Sequence, residues 1–271
     1  QIASAFPFVW LLDGAGWLPA FLSAAALSVF GGSLVWLFGG HSEDAKASAV
    51  SIRAVVQGLK VNIRRSPIRM AFWTHFTTQS SGTMFALLWG IPFLTLGQGY
   101  SRNTASALLA LFVATNASMG PVLGAFAARG FRWRASIIVA APLVGMSLWI
   151  ATLTWQGQAP IWLLATMVIA IGFGGPASML AFDYSRAYVS KEQLGSVNGF
   201  VNIGGFLASF KMMALIGLGL DTVNSGKATN ELYSLDNFRL AIPVHFVVTA
   251  VGLFFYLREL RATIRNEGAR E

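Results

Sequence analysis

Seven long apolar stretches separated by short polar connections organise the chain: about 17–39, 70–97, 103–127, 135–155, 160–182, 194–220 and 238–257. Each is long enough to cross a hydrocarbon core of roughly 30 Å, which takes about 20 helical residues at 1.5 Å rise. Lipid offers the backbone no hydrogen bonds, so each stretch is predicted to be a helix that satisfies its own peptide groups. Residues 2–12 are also apolar, but they reach only about half way across and read as the tail of a further span.

One connection, 40–69, is long. Within it Ile52, Val55, Val56, Leu59 and Ile63 recur at helical spacing, with Arg53, Lys60, Arg64 and Arg65 interleaved. The pattern predicts an amphipathic helix that stops near Pro67. It either lies on an anionic inner leaflet or is a linker helix held by its neighbours. This loop is the boundary between structural units.

Composition agrees with a membrane protein. Hydrophobic residues make up 55% of the chain and charged residues 11%, with a mean hydropathy of +0.61; soluble domains carry roughly 25% charged residues. The absence of cysteine removes a disulfide framework, a thiolate metal site and a thiol nucleophile. Nothing in the pattern suggests a metal or a cofactor. The formal charge of +8 raises a nucleic-acid partner as an option, but the basic residues cluster in short connections, which points to membrane topology.

Alternate connections divide the basic residues unevenly. One set holds Lys46, Arg53, Lys60, Arg64, Arg65 and Arg69; Arg129, Arg132 and Arg134; Arg186 and Lys191; and Arg258, Arg261, Arg265 and Arg270. The other holds Arg102, Lys227 and Arg239, while Lys211 lies inside a span. Positive residues are retained on the cytoplasmic side, so the 40–69 loop and the C-terminus are expected there. The chain opens at Gln1 with neither an initiator Met nor a basic n-region, and is expected to be a fragment without a signal peptide.

After the third span, Gly124-Ala-Phe-Ala-Ala-Arg129-Gly-Phe-Arg132-Trp-Arg134 is similar to the second copy of the cytoplasmic signature of the major facilitator superfamily. Gly124, Arg129 and Arg132 match in register. Ala128 stands where that signature has an acid, and its second Gly is displaced to Gly130. The segments 181–186 and 194–205 also look like the junction of the tenth and eleventh helices in bacterial members. The chain therefore resembles the C-terminal half of such a transporter.

The resemblance implies an all-α polytopic membrane protein. Residues 1–39 would hold a helix stub and the last helix of an N-terminal bundle, 40–69 a cytoplasmic linker, 70–257 a six-helix C-terminal bundle and 258–271 a cytoplasmic tail. It further implies secondary active transport of a small solute by alternating access, with proton coupling as an option. The bilayer and a missing N-terminal half of the same protein would be partners, and a bacterial inner membrane the location. A scaffold subunit is the alternative. A membrane-embedded enzyme is disfavoured, because the three histidines lie in separate segments and no paired carboxylates share a span.

Polar groups inside spans mark candidate sites, since they are costly there and usually face a cavity or a partner. At 100° per residue, His75, Thr78, Gln79, Gly82, Ala86 and Trp89 share an arc of about 80° on the second span. His75, Thr78, Gln79 and Trp89 are candidate substrate-path residues, with helix packing as the competing role. On the sixth span Asn198, Asn202 and Ser209 share a face, and the two asparagines either line a cavity or bond between helices. Gly195-xxx-Gly199 on that span is expected to allow close packing. Asp183, Lys211 and His245 are candidates for ion coupling. Against that role stand pairing of Asp183 with Arg186 or with the Arg129/Arg132 cluster, snorkelling of Lys211 and a packing role for His245. Gly172-Phe-Gly-Gly-Pro176 is either a flexible point or a packing notch.

Overall fold

The computed structural model describes residues 7–38, 51–226 and 231–268. Lys46, Lys227, Arg270 and the first residues of the short apolar stub lie outside that set. Seven described helices are long and apolar enough to cross a membrane, one for each predicted stretch. The chain divides into two compact units, Gln1–Ala54 and Val55–Glu271.

In the first unit, α1 (Pro7–Ala15) joins α2 (Trp17–Phe38) at Gly16. Phe21 meets the edge of Phe8 at 5.3 Å and stacks on Trp17 at 5.1 Å. Most apolar side chains of α2 point outward on every side. Ser23, Ser28 and Ser33 donate their hydroxyls to carbonyls of the same helix. A lipid-solvated helix requires this, because an unbonded polar group in hydrocarbon costs several kcal/mol.

The second unit opens within α3 (Ile52–Asn62), followed by α4 (Ser66–Gly97), α5 (Arg102–Ala127), α6 (Phe131–Thr154), α7 (Ile161–Tyr188), α8 (Lys191–Val223) and α9 (Leu235–Asn266). Several helices outrun the apolar stretches at their basic ends: α4 begins at 66, α7 continues to 188 and α9 to 266. Hydropathy registers the lipid boundary, whereas a helix can continue into water with charged side chains such as Arg186 and Arg261. Pro67 starts α4 rather than terminating α3, a position where its missing N–H removes no helical bond.

α4 is the centre of the bundle and packs against α7, α8 and α9. Helices in lipid gain little from hydrophobic burial against one another, so close approach through small residues decides the packing. Gly204 and Gly205 of α8 supply it. A Cβ on Gly204 would lie 2.6 Å from the Phe72 carbonyl oxygen, and one on Gly205 2.7 Å from the His75 ring. The expected Gly195/Gly199 notch is not where α8 is close-packed, since both glycines lie on its exposed side with nothing within 4 Å of an added Cβ.

Both ends of the bundle are fastened. At one, Arg239 of α9 donates Nε to Leu153 O at 3.0 Å and Nη2 to the Trp155 and Gly157 carbonyls, while the Tyr100 hydroxyl donates to Ala159 O at 2.7 Å. At the other, basic end, Arg69 pairs with Glu259 at 2.8 Å. α3 docks there through Asn62, whose Nδ2 donates to Gln193 Oε1 at 2.8 Å. Its C-terminal half is thus held by neighbours, while Ile52, Val55 and Val56 remain exposed.

Candidate functional site

The Gly172–Pro176 run interrupts α7, and the interruption creates a binding feature. Beyond it the Phe182 N–H bonds to Met179 O instead of reaching back four residues, which releases the Ser178 carbonyl from the helix. His75 of α4 takes that carbonyl: its Nδ1 lies 3.2 Å from Ser178 O. The other ring nitrogen, Nε2, lies 3.2 Å from Asn202 Oδ1 on α8. Phe182 covers the ring edge-on at a centroid distance of 5.1 Å. At 1.5 Å per residue, the three polar groups are each about 15 Å from the basic ends of their helices.

This geometry can hold either protonation state of the ring. A carbonyl only accepts, so Nδ1 must carry a proton toward Ser178. With the neutral ring, Nε2 is an acceptor and Asn202 must turn its amide to offer Nδ2 as donor. With imidazolium, both nitrogens donate and Oδ1 accepts, as the amide stands in the structure. A half-turn of one amide therefore exchanges the two states without leaving a buried group unpaired. Asn202 is exposed on its outer side, which opens the cluster to whatever lies beyond α8.

Gln79 is half-buried one turn beyond His75, in space that Gly205 leaves free: an added Cβ there would lie 3.1 Å from Gln79 Cδ. Asn198 stands one turn from Asn202, and its buried Oδ1 has no hydrogen-bond partner among the described residues. The structure thus brings His75, Gln79 and Asn202 together, with Asn198 one turn nearer the basic end of α8. Thr78 is not part of this group, since its hydroxyl donates to Thr74 O at 2.8 Å within α4 and it lines a small cavity with Thr77, Ser81, His245 and Thr249. Trp89 is also separate. Its Nε1 donates to Met213 O at 3.0 Å and its ring packs edge-on to Phe238 at 6.2 Å, inside the apolar core.

The departure of Trp89 has a local cause. α4 contains two π-helical turns, Phe85–Trp89 and Phe93–Gly97, in which each bond spans one residue more than in an α-turn. Counting 100° per residue therefore holds up to Met84 and fails beyond it. Sequence reasoning also missed Ser178, whose contribution is a main-chain carbonyl; the signal that could have found it was Pro176 inside the glycine run.

At the basic end, α5 and α6 are joined by a tight turn through Gly130, whose φ of +126° disfavours any side chain. The Arg129 guanidinium lies 4.6 Å from the Phe126 ring centroid and 5.4 Å from that of Trp133. With alanine at 128, the rings take the cation in place of a carboxylate. Gly124 and Arg132 are exposed on the same segment. A family model described as Major Facilitator Superfamily matches residues 3–213. The chain belongs to the major facilitator superfamily. No curated protein and no solved structure matches it.

Members of this superfamily are transporters rather than enzymes, which directs attention to the ionisable groups that could couple a major facilitator protein to an ion. Asp183 is 3.4 Å from Arg186, three residues along α7 near the basic end. Lys211 is exposed on the side of α8 that carries Leu207 and Leu218, away from the Asn198/Asn202 face. His245 is buried on the Thr77 side of α4, with Nδ1 2.9 Å from Ile242 O and its ring 5.6 Å from that of Trp149. None of the three touches the His75 cluster.

Proposed function

We propose that this major facilitator superfamily transporter is a secondary transporter that moves a small solute by alternating access, with His75 carrying the coupled proton and Gln79, Asn198 and Asn202 lining the solute path. The observation behind this reading is the bracketing of His75 between a carbonyl freed by the break in α7 and an amide of α8. That arrangement accommodates the ring with or without its second proton. It also joins three helices, so a change in protonation bears on how α4, α7 and α8 pack. In this reading α4 to α9 form the C-terminal bundle, which rocks against a second bundle of the same transporter with its basic end in the cytoplasm of a bacterial cell.

Uptake by the whole transporter in proteoliposomes tests the proposal, using a panel of radiolabelled sugars, amino acids and organic anions and a pH-sensitive dye inside. His75→Gln keeps polar contacts but cannot take up a proton. Solute exchange should continue in this variant while accumulation driven by an imposed pH gradient is lost. Undiminished pH-driven accumulation by His75→Gln would remove His75 from the coupling role.

A further inference from the structure

We propose that a second site, at the basic end of the bundle, binds the phosphate of an anionic lipid headgroup. A cavity of about 330 Å³ opens there between the start of α4, the end of α7 and the last turns of α9. Arg64, Arg65, Arg69 and Arg265 line it, together with Ser66 and Asn266. It is distinct from the His75 cluster, which lies about 14 Å further along α4 at 1.5 Å per residue.

Among the described residues, the charges around this cavity do not balance. Glu259, buried at 2% exposure, is the acid that faces the group, and Arg69 engages it at 2.8 Å. Arg65 is turned to neutral acceptors, with Nη1 donating to Tyr188 O at 2.7 Å and to Asn62 Oδ1 at 3.2 Å. Neither Arg64 nor Arg265 has an acidic partner among the described residues, and both are exposed. Four guanidinium groups round one cavity repel one another unless an anion joins them. Their planar forks match the paired oxygens of a phosphate better than a point charge.

The first turn of α4 offers an anion little beyond these side chains: Pro67 has no N–H, and the Ile68 and Arg69 N–H groups bond to Arg65 O. On α9 the face that carries Arg265 continues into the span with Val247, Val251 and Phe254, exposed at 63%, 43% and 63%. A soluble phosphate would leave them uncovered, whereas a lipid brings an acyl chain along with its phosphate. Basic pockets between membrane helices bind anionic headgroups in this manner.

Native mass spectrometry of the purified protein, titrated with phosphatidylglycerol or phosphatidylcholine, tests the site. Phosphatidylglycerol should be retained in preference to phosphatidylcholine. The variant Arg64→Gln/Arg265→Gln removes two unpaired charges from exposed positions and should bind phosphatidylglycerol on the order of tenfold more weakly. Arg261→Gln/Lys191→Gln removes the same charge outside the cavity and should bind as the parent does. Equal binding by Arg64→Gln/Arg265→Gln and the parent, or an equal loss in both double variants, overturns the proposal. Excess inorganic phosphate or glycerol phosphate should fail to displace the lipid; displacement at matching affinity makes this a soluble-phosphate site and overturns the lipid assignment.

Discussion

On the proposed reading, Gln79 is the residue whose amide adds solute recognition beside His75. It is half-buried, lies over Gly205 and is one turn from the His75–Asn202 bond. A solute group paired with this amide would be left without a partner in Gln79→Ala, at a cost of about 1–3 kcal/mol. The apparent KM of the whole transporter should then rise roughly 5- to 150-fold. Leu87 and Leu88 are exposed at 61% and 48% and touch none of the cluster, so alanine at either should leave KM unchanged. Uptake at graded solute concentrations reads both effects; an unchanged KM for Gln79→Ala at equal expression would return Gln79 to a packing role. Side-chain periodicity placed His75 with Gln79 and Asn198 with Asn202 on shared faces, because they lie on regular α-helix, but it did not show which helices those faces meet. Trp89 and the Ser178 carbonyl were illegible because each depends on a local departure from α-helical geometry.

The elements themselves follow from hydropathy, but their contacts do not. The run Gly172–Pro176 left open whether α7 flexes or packs there, and the structure shows an irregular turn that is also closely packed. Ser178 O is released by the irregular turn, while a Cβ on Gly174 would run into the Thr78 carbonyl of α4 and one on Gly172 would come within 3.0 Å of Thr115. Backbone cannot step aside as a flexible side chain can. Gly174→Ala should therefore lower stability by about 1–3 kcal/mol, in line with overpacking of a filled interior. Gly120→Ala, with nothing within 4 Å of its new methyl group, should be neutral or slightly stabilising. Thermal unfolding of the two variants in detergent compares them. A melting temperature for Gly174→Ala equal to that of Gly120→Ala would show that α4 and α7 separate easily at this crossing. Gly195 and Gly199 teach the same lesson from the other side. Their spacing is that of a packing motif, but only the folded bundle reveals that they lie off the buried stripe of α8.

At the scale of the whole molecule, the uneven distribution of basic residues predicts which end of the bundle faces which side of the membrane. The end that holds Arg64, Arg69, Arg129, Arg186 and Arg265 should face the cytoplasm, and the end fastened by Arg239 should face outward. The reason is energetic: arginine and lysine near a span are retained on the inner side, where anionic lipid also attracts them. The chain contains no cysteine, so a single introduced thiol reports its own position without background. Ser225, just beyond α8, and Ala128, in the turn after α5, are both exposed and lie at opposite ends of the bundle. In intact cells a membrane-impermeant maleimide should label Ser225→Cys, while Ala128→Cys should react only after the membrane is opened. The reverse pattern would invert the topology, and with it the inner-leaflet placement of the arginine cavity. Labelling of both positions from outside would contradict a bundle whose helices alternate in direction.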